Sequence, residues 1–140
     1  MYISNTPKTP RTGATAVEAA IIYPVYFLFV IGLIVGCLGV FRYQQLSNIS
    51  REAARWACVR GEKYSFATGQ PAATPQDVYD NVIEPKATLL DPTKLTYTVT
   101  WNPDNRQDSM VTVSLEYEWL PELYFSPVTL RASSTVPVQY

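Results

Sequence analysis

The sequence contains no histidine, only two cysteines and no excess of either charge. Its 11 basic and 12 acidic side chains give a net charge of −1 over 140 residues. Without histidine, the chain lacks the commonest general base and the commonest metal ligand. The near-neutral charge argues against nucleic acid as a partner, because phosphate binding ordinarily requires a basic excess. The sequence also lacks a phosphate-binding loop and a nucleophile elbow. We therefore predict a protein that is not an enzyme and uses no cofactor or metal.

The two cysteines, Cys37 and Cys58, stand 21 positions apart. If both lie on one helix, as predicted below, this separation amounts to roughly 30 Å. A disulfide requires Cα atoms within roughly 7 Å of each other, so the two cannot pair within one chain. Cys37 reads as a small apolar residue of a membrane span. For Cys58 we favour a packed, inert thiol over a disulfide with another chain.

Charged residues are absent from a stretch of 23 residues, 19–41. A helix of this length can cross a hydrocarbon core of roughly 30 Å, which predicts a transmembrane helix in a lipid bilayer. A secretory signal would have a shorter apolar region with a small-residue cleavage site after it. Here the small residue, Gly13, comes before the apolar stretch and follows a short polar segment with two basic residues.

Glu18 stands at the head of this apolar stretch, five residues after Gly13. A carboxylate at the edge of a bilayer is costly, and such residues usually have a partner. The alternative is an interfacial glutamate near a helix N-terminus, where the helix dipole favours it.

The string GATAVE at residues 13–18 resembles the type IV prepilin processing site. The longer string TGATAVEAAIIYPVYFLFVIGLIVGCLGVFRYQQLSNISREAARWACVRG resembles the TadE-like pseudopilins of the Tad (Flp) pilus. The matching features are the AxAVE start, Pro24 inside the span, and REAARWA before Gly61. The C-terminal LRASSTVPVQY also resembles the end of that family's domain.

The resemblance implies a processed subunit of a filament. A prepilin peptidase would remove a leader, residues 1–13, by cutting between Gly13 and Ala14. The carboxylate of Glu18 would pair with the new Ala14 amine of a neighbouring subunit. The implied partners are this peptidase, other pilins or pseudopilins, and an inner-membrane assembly platform with its cytoplasmic ATPase. The N-terminus would be cytoplasmic, and the domain would lie outside the bacterial inner membrane, later in a pilus or the periplasm.

Three residues inside the span are candidates for helix assembly. Gly32 and Gly36 form a small-xxx-small pair that allows another helix to approach closely, although glycine is common in membrane spans by chance. Pro24 is expected to bend or loosen the helix, because it frees a backbone carbonyl and crowds the preceding turn.

Beyond the span, the sequence becomes amphipathic. Leu46, Ile49, Ala53 and Trp56 recur at spacings of three and four and predict a helical face that packs against a domain. We predict one long helix over residues 14–60, with Gly61 as its C-terminal cap.

The remainder, residues 61–140, predicts a small extracytoplasmic α+β domain. Residues 61–74 are rich in small and polar residues and read as a loop. A short helix should begin after Thr74 and end at Pro85. Three strands with period-two alternation follow, at 95–101, 111–119 and 128–138, and predict a three- to four-stranded antiparallel sheet. With the long transmembrane helix, this is the lollipop arrangement of pilins.

Two acidic pairs in this domain are candidates for a functional site. Glu116 and Glu118 share one strand face, where a solvated surface is favoured over a catalytic pair. Asp104 and Asp108 lie in a turn without the spacing of a known calcium loop.

The sequence therefore predicts a minor pseudopilin or pilin of a Tad/type IV-like pilus that supports adhesion or secretion. The alternative is a membrane-anchored extracytoplasmic binding module that does not polymerise.

Overall fold

The computed structural model describes residues 12–106, 108–121 and 126–139. Most of the predicted leader, residues 1–11, therefore lies outside the described residues. The chain forms two compact units, the first ending at Gly36 and the second beginning at Cys37.

The first unit is the N-terminal part of helix α1, which extends over 47 residues from Thr12 to Cys58. The prediction of one long N-terminal helix is confirmed, with bounds two residues earlier at each end than the predicted 14–60. Up to Gly36 the helix is exposed along almost all of its side chains. A helix that is apolar on every side and exposed requires an apolar environment, either lipid or other helices.

The predicted C-terminal cap of α1 at Gly61 is wrong. The helix ends at Cys58, and Gly61 has a φ of −76°, outside the left-handed region that such a cap uses. Gly61 instead lies at the N-terminal cap position of the next helix, α2 (Glu62–Thr68). The glycine with the left-handed conformation is Gly69, with a φ of 71°, and its N–H donates to the carbonyl of Ser65.

The second unit begins with residues 37–58 of α1, which pack against a β-sheet. Three alanines on this segment have no exposed surface: Ala53, Ala54 and Ala57. We call these three residues the alanine seam. Because their side chains are short, the helix axis can lie close to its neighbours in the core.

The sheet has three antiparallel strands in the order β1 (Leu95–Asn102), β2 (Met110–Trp119) and β3 (Val128–Pro137). The strand order follows the chain, and β2 pairs with β3 along its whole length and with β1 from Met110 to Tyr117. The predicted α+β class with an antiparallel sheet is confirmed.

The inner face of the sheet forms most of the core. Every second residue of the central strand is buried: Val111, Val113, Leu115, Tyr117 and Trp119. Alternation of this kind arises when one face of a sheet is exposed to solvent and the other packs in the core. It is the reason that the strands could be predicted from the sequence. The edge strands bury less, with Val99 and Ala132 as their buried members.

The outer face of the sheet is polar and joined across the strands. Thr112 and Thr135 form a hydrogen bond of 2.9 Å between their hydroxyl groups, at directly opposite positions of β2 and β3. Two pairs further along this face, Glu116 lies 3.2 Å from the guanidinium of Arg131. Glu116 is therefore part of a surface ion pair on a solvated face, as the favoured interpretation of the sequence holds.

The predicted loop over residues 61–74 is wrong for half of its length, since α2 occupies Glu62–Thr68. This helix buries none of its own residues, so it leaves no apolar periodicity in the sequence. Distant contacts hold it instead. The N–H of Glu62 donates to the carbonyl of Asn105, and the Glu62 carboxylate accepts from Arg106 at 2.8 Å.

The next helical region starts after Thr74, as predicted, but it does not end at Pro85. Helix α3 (Pro75–Val78) continues into a π-helical turn (Tyr79–Ile83) and then into α4 (Glu84–Lys86). The N–H of Glu84 donates to the carbonyl of Tyr79, five residues earlier. Pro85 thus falls in the first turn of a new segment, where a missing N–H breaks no hydrogen bond.

The start of α3 is fixed by a reciprocal cap. The Thr74 hydroxyl accepts from the N–H of Asp77, while one Asp77 carboxylate oxygen accepts from the N–H of Thr74 at 2.9 Å and from its hydroxyl at 2.6 Å. These bonds, that from the Thr74 hydroxyl first, lower the pKa of Asp77 below its ordinary value. A carboxylate with a lowered pKa stabilises the folded state above its unfolded pKa, and this contribution disappears as the pH falls through the folded value.

We expect Asp77→Asn to lower the melting temperature near neutral pH and to have progressively less effect as the pH falls below about 4, the ordinary pKa of aspartate, towards the lower pKa that Asp77 has in the folded protein. The measurement is thermal unfolding of both proteins, followed by circular dichroism across an acid pH series. Asp80→Asn is the control, since Asp80 lies one helical turn further on and outside the cap. A difference between wild type and Asp77→Asn that stayed constant down to about pH 2 would contradict this origin.

Candidate assembly helix

The predicted processing junction lies in the first turn of α1. Gly13 and Ala14 are both exposed, and a methyl group on Gly13 would meet no heavy atom within 4 Å. A protease that binds this segment in an extended form must first unwind the turn. Unwinding is easy at a helix end, where the first N–H groups have no partner within the helix.

Glu18 is exposed on the same helix, two turns from its N-terminus. None of the lysines and arginines within the described ranges forms an ion pair with it. Its neighbours along the helix are apolar, with Val17 and Ile21 each exposed by more than 60%. The carboxylate is thus a single charge at the border of an apolar helical surface.

Pro24 lies inside α1 without ending it. Because proline has no N–H, the carbonyl one turn earlier, at Ala20, lacks its usual helical donor. A helix can carry such a residue in a membrane where a neighbouring helix or side chain satisfies the free carbonyl.

Gly32 and Gly36 leave open space beside the helix. A methyl group on either one would meet no heavy atom within 4 Å. Nothing in the first unit covers them, so the role proposed for them from the sequence, close contact with another helix, stays a prediction.

The rest of this surface is apolar. Most of its large side chains are exposed, by between 39% and 72%, and these include Ile21, Val25, Leu28, Phe29 and Leu33. By length and composition α1 qualifies as a membrane-crossing helix. An apolar helix of this kind near the N-terminal end suggests a membrane anchor or a signal sequence.

Three of the four residues predicted to pack α1 on the domain are buried. Leu46, Ile49 and Ala53 are exposed by 3% or less. Trp56 differs because it is partly exposed, and the guanidinium of Arg60 lies 4.1 Å from the centre of its ring. The sequence pattern missed Ser50, which is 1% exposed and donates its hydroxyl to the carbonyl of Ser47.

A contact that the sequence did not reveal joins α1 to the end of β2. The ring of Trp119 lies so close to Gly39 that a Cβ added to this glycine would sit 2.6 Å from the Cζ3 atom of the ring. The guanidinium of Arg42, one turn further along α1, lies 5.6 Å from the centre of the same ring. Gly39 is therefore a position of close approach, in contrast to Gly32 and Gly36.

The carboxylate of Asp104, in the turn between β1 and β2, has its partners within that turn. Asp104 accepts from the Ser109 hydroxyl at 2.8 Å and lies 3.4 Å from the Arg106 guanidinium. Within the described ranges, no three metal-ligating residues are grouped together. The turn is thus built around Arg106, which also binds Glu62 of α2.

Comparison with known proteins gives one match for this chain. The model of the TadE-like protein family matches residues 13–55. This segment is TadE-like. The resemblance inferred from the residues is confirmed over that range, which begins at Gly13 and includes Glu18, Pro24 and both open glycines. No curated protein and no solved structure matched the chain.

The TadE-like family is associated with the Tad pilus and the cell envelope, and its members are generally not enzymes. The match covers less than half of this chain, so these are properties of the family to which the segment is similar. The matched residues end at Arg55, so Trp56 and the sheet lie outside them. The resemblance of the C-terminal residues 130–140 to that family stays a prediction.

Proposed function

We propose that this protein is a structural subunit, a minor pseudopilin or pilin, of a Tad/type IV-like pilus. The observation that carries the proposal is that the TadE-like segment starts at Gly13 and is the same helix that exposes its apolar side chains in the first unit. In a bilayer these side chains meet lipid, and in a filament they meet the same helix of other subunits. The subunit would support adhesion or secretion.

The first step is processing by a prepilin peptidase. The enzyme cuts between Gly13 and Ala14, which leaves the amine of Ala14 as the new N-terminus. Glycine favours such a site because the missing Cβ lets its backbone enter a narrow protease groove. The leader faces the cytoplasm, and the second unit therefore lies outside the inner membrane.

The second step is assembly. A free α-amino group has a pKa of about 7.7 and is largely protonated at neutral pH. Glu18 of one subunit pairs with the Ala14 ammonium of its neighbour as both enter the apolar filament core. Either charge alone would carry a large desolvation penalty there, and the pair offsets much of it. This selects neighbours with the correct stagger. An inner-membrane platform with a cytoplasmic ATPase drives the extraction from the bilayer.

Gly13→Leu is expected to block processing, because a bulky side chain would stand where the peptidase groove requires none. Intact mass spectrometry of membrane-extracted protein measures this directly. The wild-type chain should begin at Ala14, and the variant should retain residues 1–13. Gly36→Ala is the matched control, a glycine of the same helix away from the junction, and it should be cut normally. A wild-type chain that retains the leader in cells with an active prepilin peptidase would disprove the proposed processing.

A further inference from the structure

We propose that the end of the sheet formed by Trp119, Leu120 and Val128 inserts into the lipid headgroup layer of the membrane that α1 crosses. We call these three residues the membrane rim. The inference rests on the proposed insertion of α1 in a bilayer, and it adds a second, peripheral contact of the domain with that bilayer.

The depth of the rim follows from its contact with α1. Gly39, which the ring of Trp119 touches, lies inside the uncharged stretch that ends at Phe41. Two residues of helix correspond to roughly 3 Å. If this stretch fills the hydrocarbon core, the Trp119 ring must lie within a few ångströms of the boundary between acyl chains and headgroups. Gly39 and Trp119 both belong to the second unit, so their contact is a feature of that unit alone.

The chemistry of the rim suits this depth. Trp119 itself is buried and holds this end of the sheet against α1, so the exposed apolar surface of the rim comes from its two other residues. Leu120 is 57% exposed and Val128 is 44% exposed, and Val128 stands directly opposite Trp119 in the sheet. Arg42 is the first charged residue after the span, and its guanidinium lies over the Trp119 ring.

The other end of the sheet provides an internal contrast. Met110 begins β2 and is 47% exposed, as apolar as the rim and nearly as open. Nine residues of strand separate it from Trp119, which corresponds to roughly 30 Å. If the contact between Gly39 and Trp119 sets the depth of the domain, the membrane rim should contact lipid and Met110 should not.

The experiment uses the full mature chain with Cys37→Ser and Cys58→Ala, which leaves no native thiol. Single cysteines are added as Leu120→Cys, Val128→Cys, Met110→Cys or Phe29→Cys and labelled with an environment-sensitive fluorophore. The labelled proteins are reconstituted in vesicles of phosphatidylcholine and phosphatidylglycerol, with or without lipids brominated near the headgroup or deep in the chain. We expect a blue-shifted emission at Leu120 and Val128, strongly quenched by the shallow bromines, and no quenching at Met110.

Phe29 lies in the middle of the span and reports on insertion itself. If its probe is not quenched by deep bromines, the membrane insertion of α1 fails, and the proposed function fails with it. If the Phe29 probe is quenched while the Leu120 and Val128 probes behave like that at Met110, only the membrane rim is overturned. Disulfide-linked dimers of the unlabelled Leu120→Cys protein, together with an unquenched probe in the labelled protein, would show that a second copy covers the rim and would equally overturn the lipid contact.

Discussion

Glu18→Ala is expected to abolish incorporation of the mature chain into filaments while its expression and cleavage stay normal. Removal of one partner from a desolvated charge pair costs about 2–5 kcal/mol, largely because the other charge stays buried alone. Since about 1.4 kcal/mol corresponds to a factor of ten, at least about a 30-fold loss is expected. The measurement is quantitative mass spectrometry of this chain in sheared filaments, relative to the membrane pool.

Two variants separate charge from shape at this position. Glu18→Gln keeps the size of the side chain but removes its charge, and it should fail in the same way as alanine. Glu116→Ala serves as the control, because Glu116 is a carboxylate on the exposed outer face of the sheet. Filaments that contain Glu18→Ala at the wild-type level would rule out the assembly role of this carboxylate. Normal incorporation of Glu18→Gln alone would instead show that a hydrogen bond suffices.

Trp119→Ala should destabilise the second unit by about 3–5 kcal/mol, because truncation of a buried tryptophan leaves a large cavity. The ring is only 6% exposed and fills the space between the end of β2 and Gly39. Thermal or denaturant unfolding of the full chain in detergent micelles, followed by circular dichroism, measures the loss.

The same contact can be tested from its other side. Gly39→Ala places a methyl group 2.6 Å from the ring. Overpacking of this kind costs about 1–3 kcal/mol, against a gain of about 1 kcal/mol from the higher helix propensity of alanine. Gly36→Ala, in open space, should show only the gain. The difference between the two variants isolates the ring contact, and Trp119→Leu should reduce it. Equal stability of both glycine variants would contradict the described packing.

The strands of the second unit were predictable because their signal is local. Alternation along β2 places Val113 and Leu115 in the core and Ser114 on the outer face. This local pattern is sufficient to predict the strand. Helix α2 was not predictable in this way. It buries no residue of its own and depends on Arg106, 44 positions away from its partner Glu62. The prediction that the next helix ends at Pro85 was wrong for a related reason. A change from α-helical to π-helical geometry leaves no signal in the hydrophobic periodicity of the sequence.

The residues of the candidate assembly helix also differ in whether their roles can be predicted from local sequence. Gly13, Glu18 and the span are recognisable from residue type and order, and the TadE-like match covers all of them. Gly39 has the same residue type as Gly32 and Gly36, and sequence spacing alone places it with them. Only the fold distinguishes it, because its neighbour Trp119 is 80 positions away in the chain.

The alanine seam has a consequence for the thermodynamics of the join between helix and domain. Alanine has no side-chain rotamers to lose on burial, whereas a buried long side chain loses up to about 2 kcal/mol of conformational entropy. Ala53, Ala54 and Ala57 therefore fix the helix in place without an entropic penalty from their side chains. Most of the free energy that burial of these three methyl groups contributes is therefore retained as stability of the join.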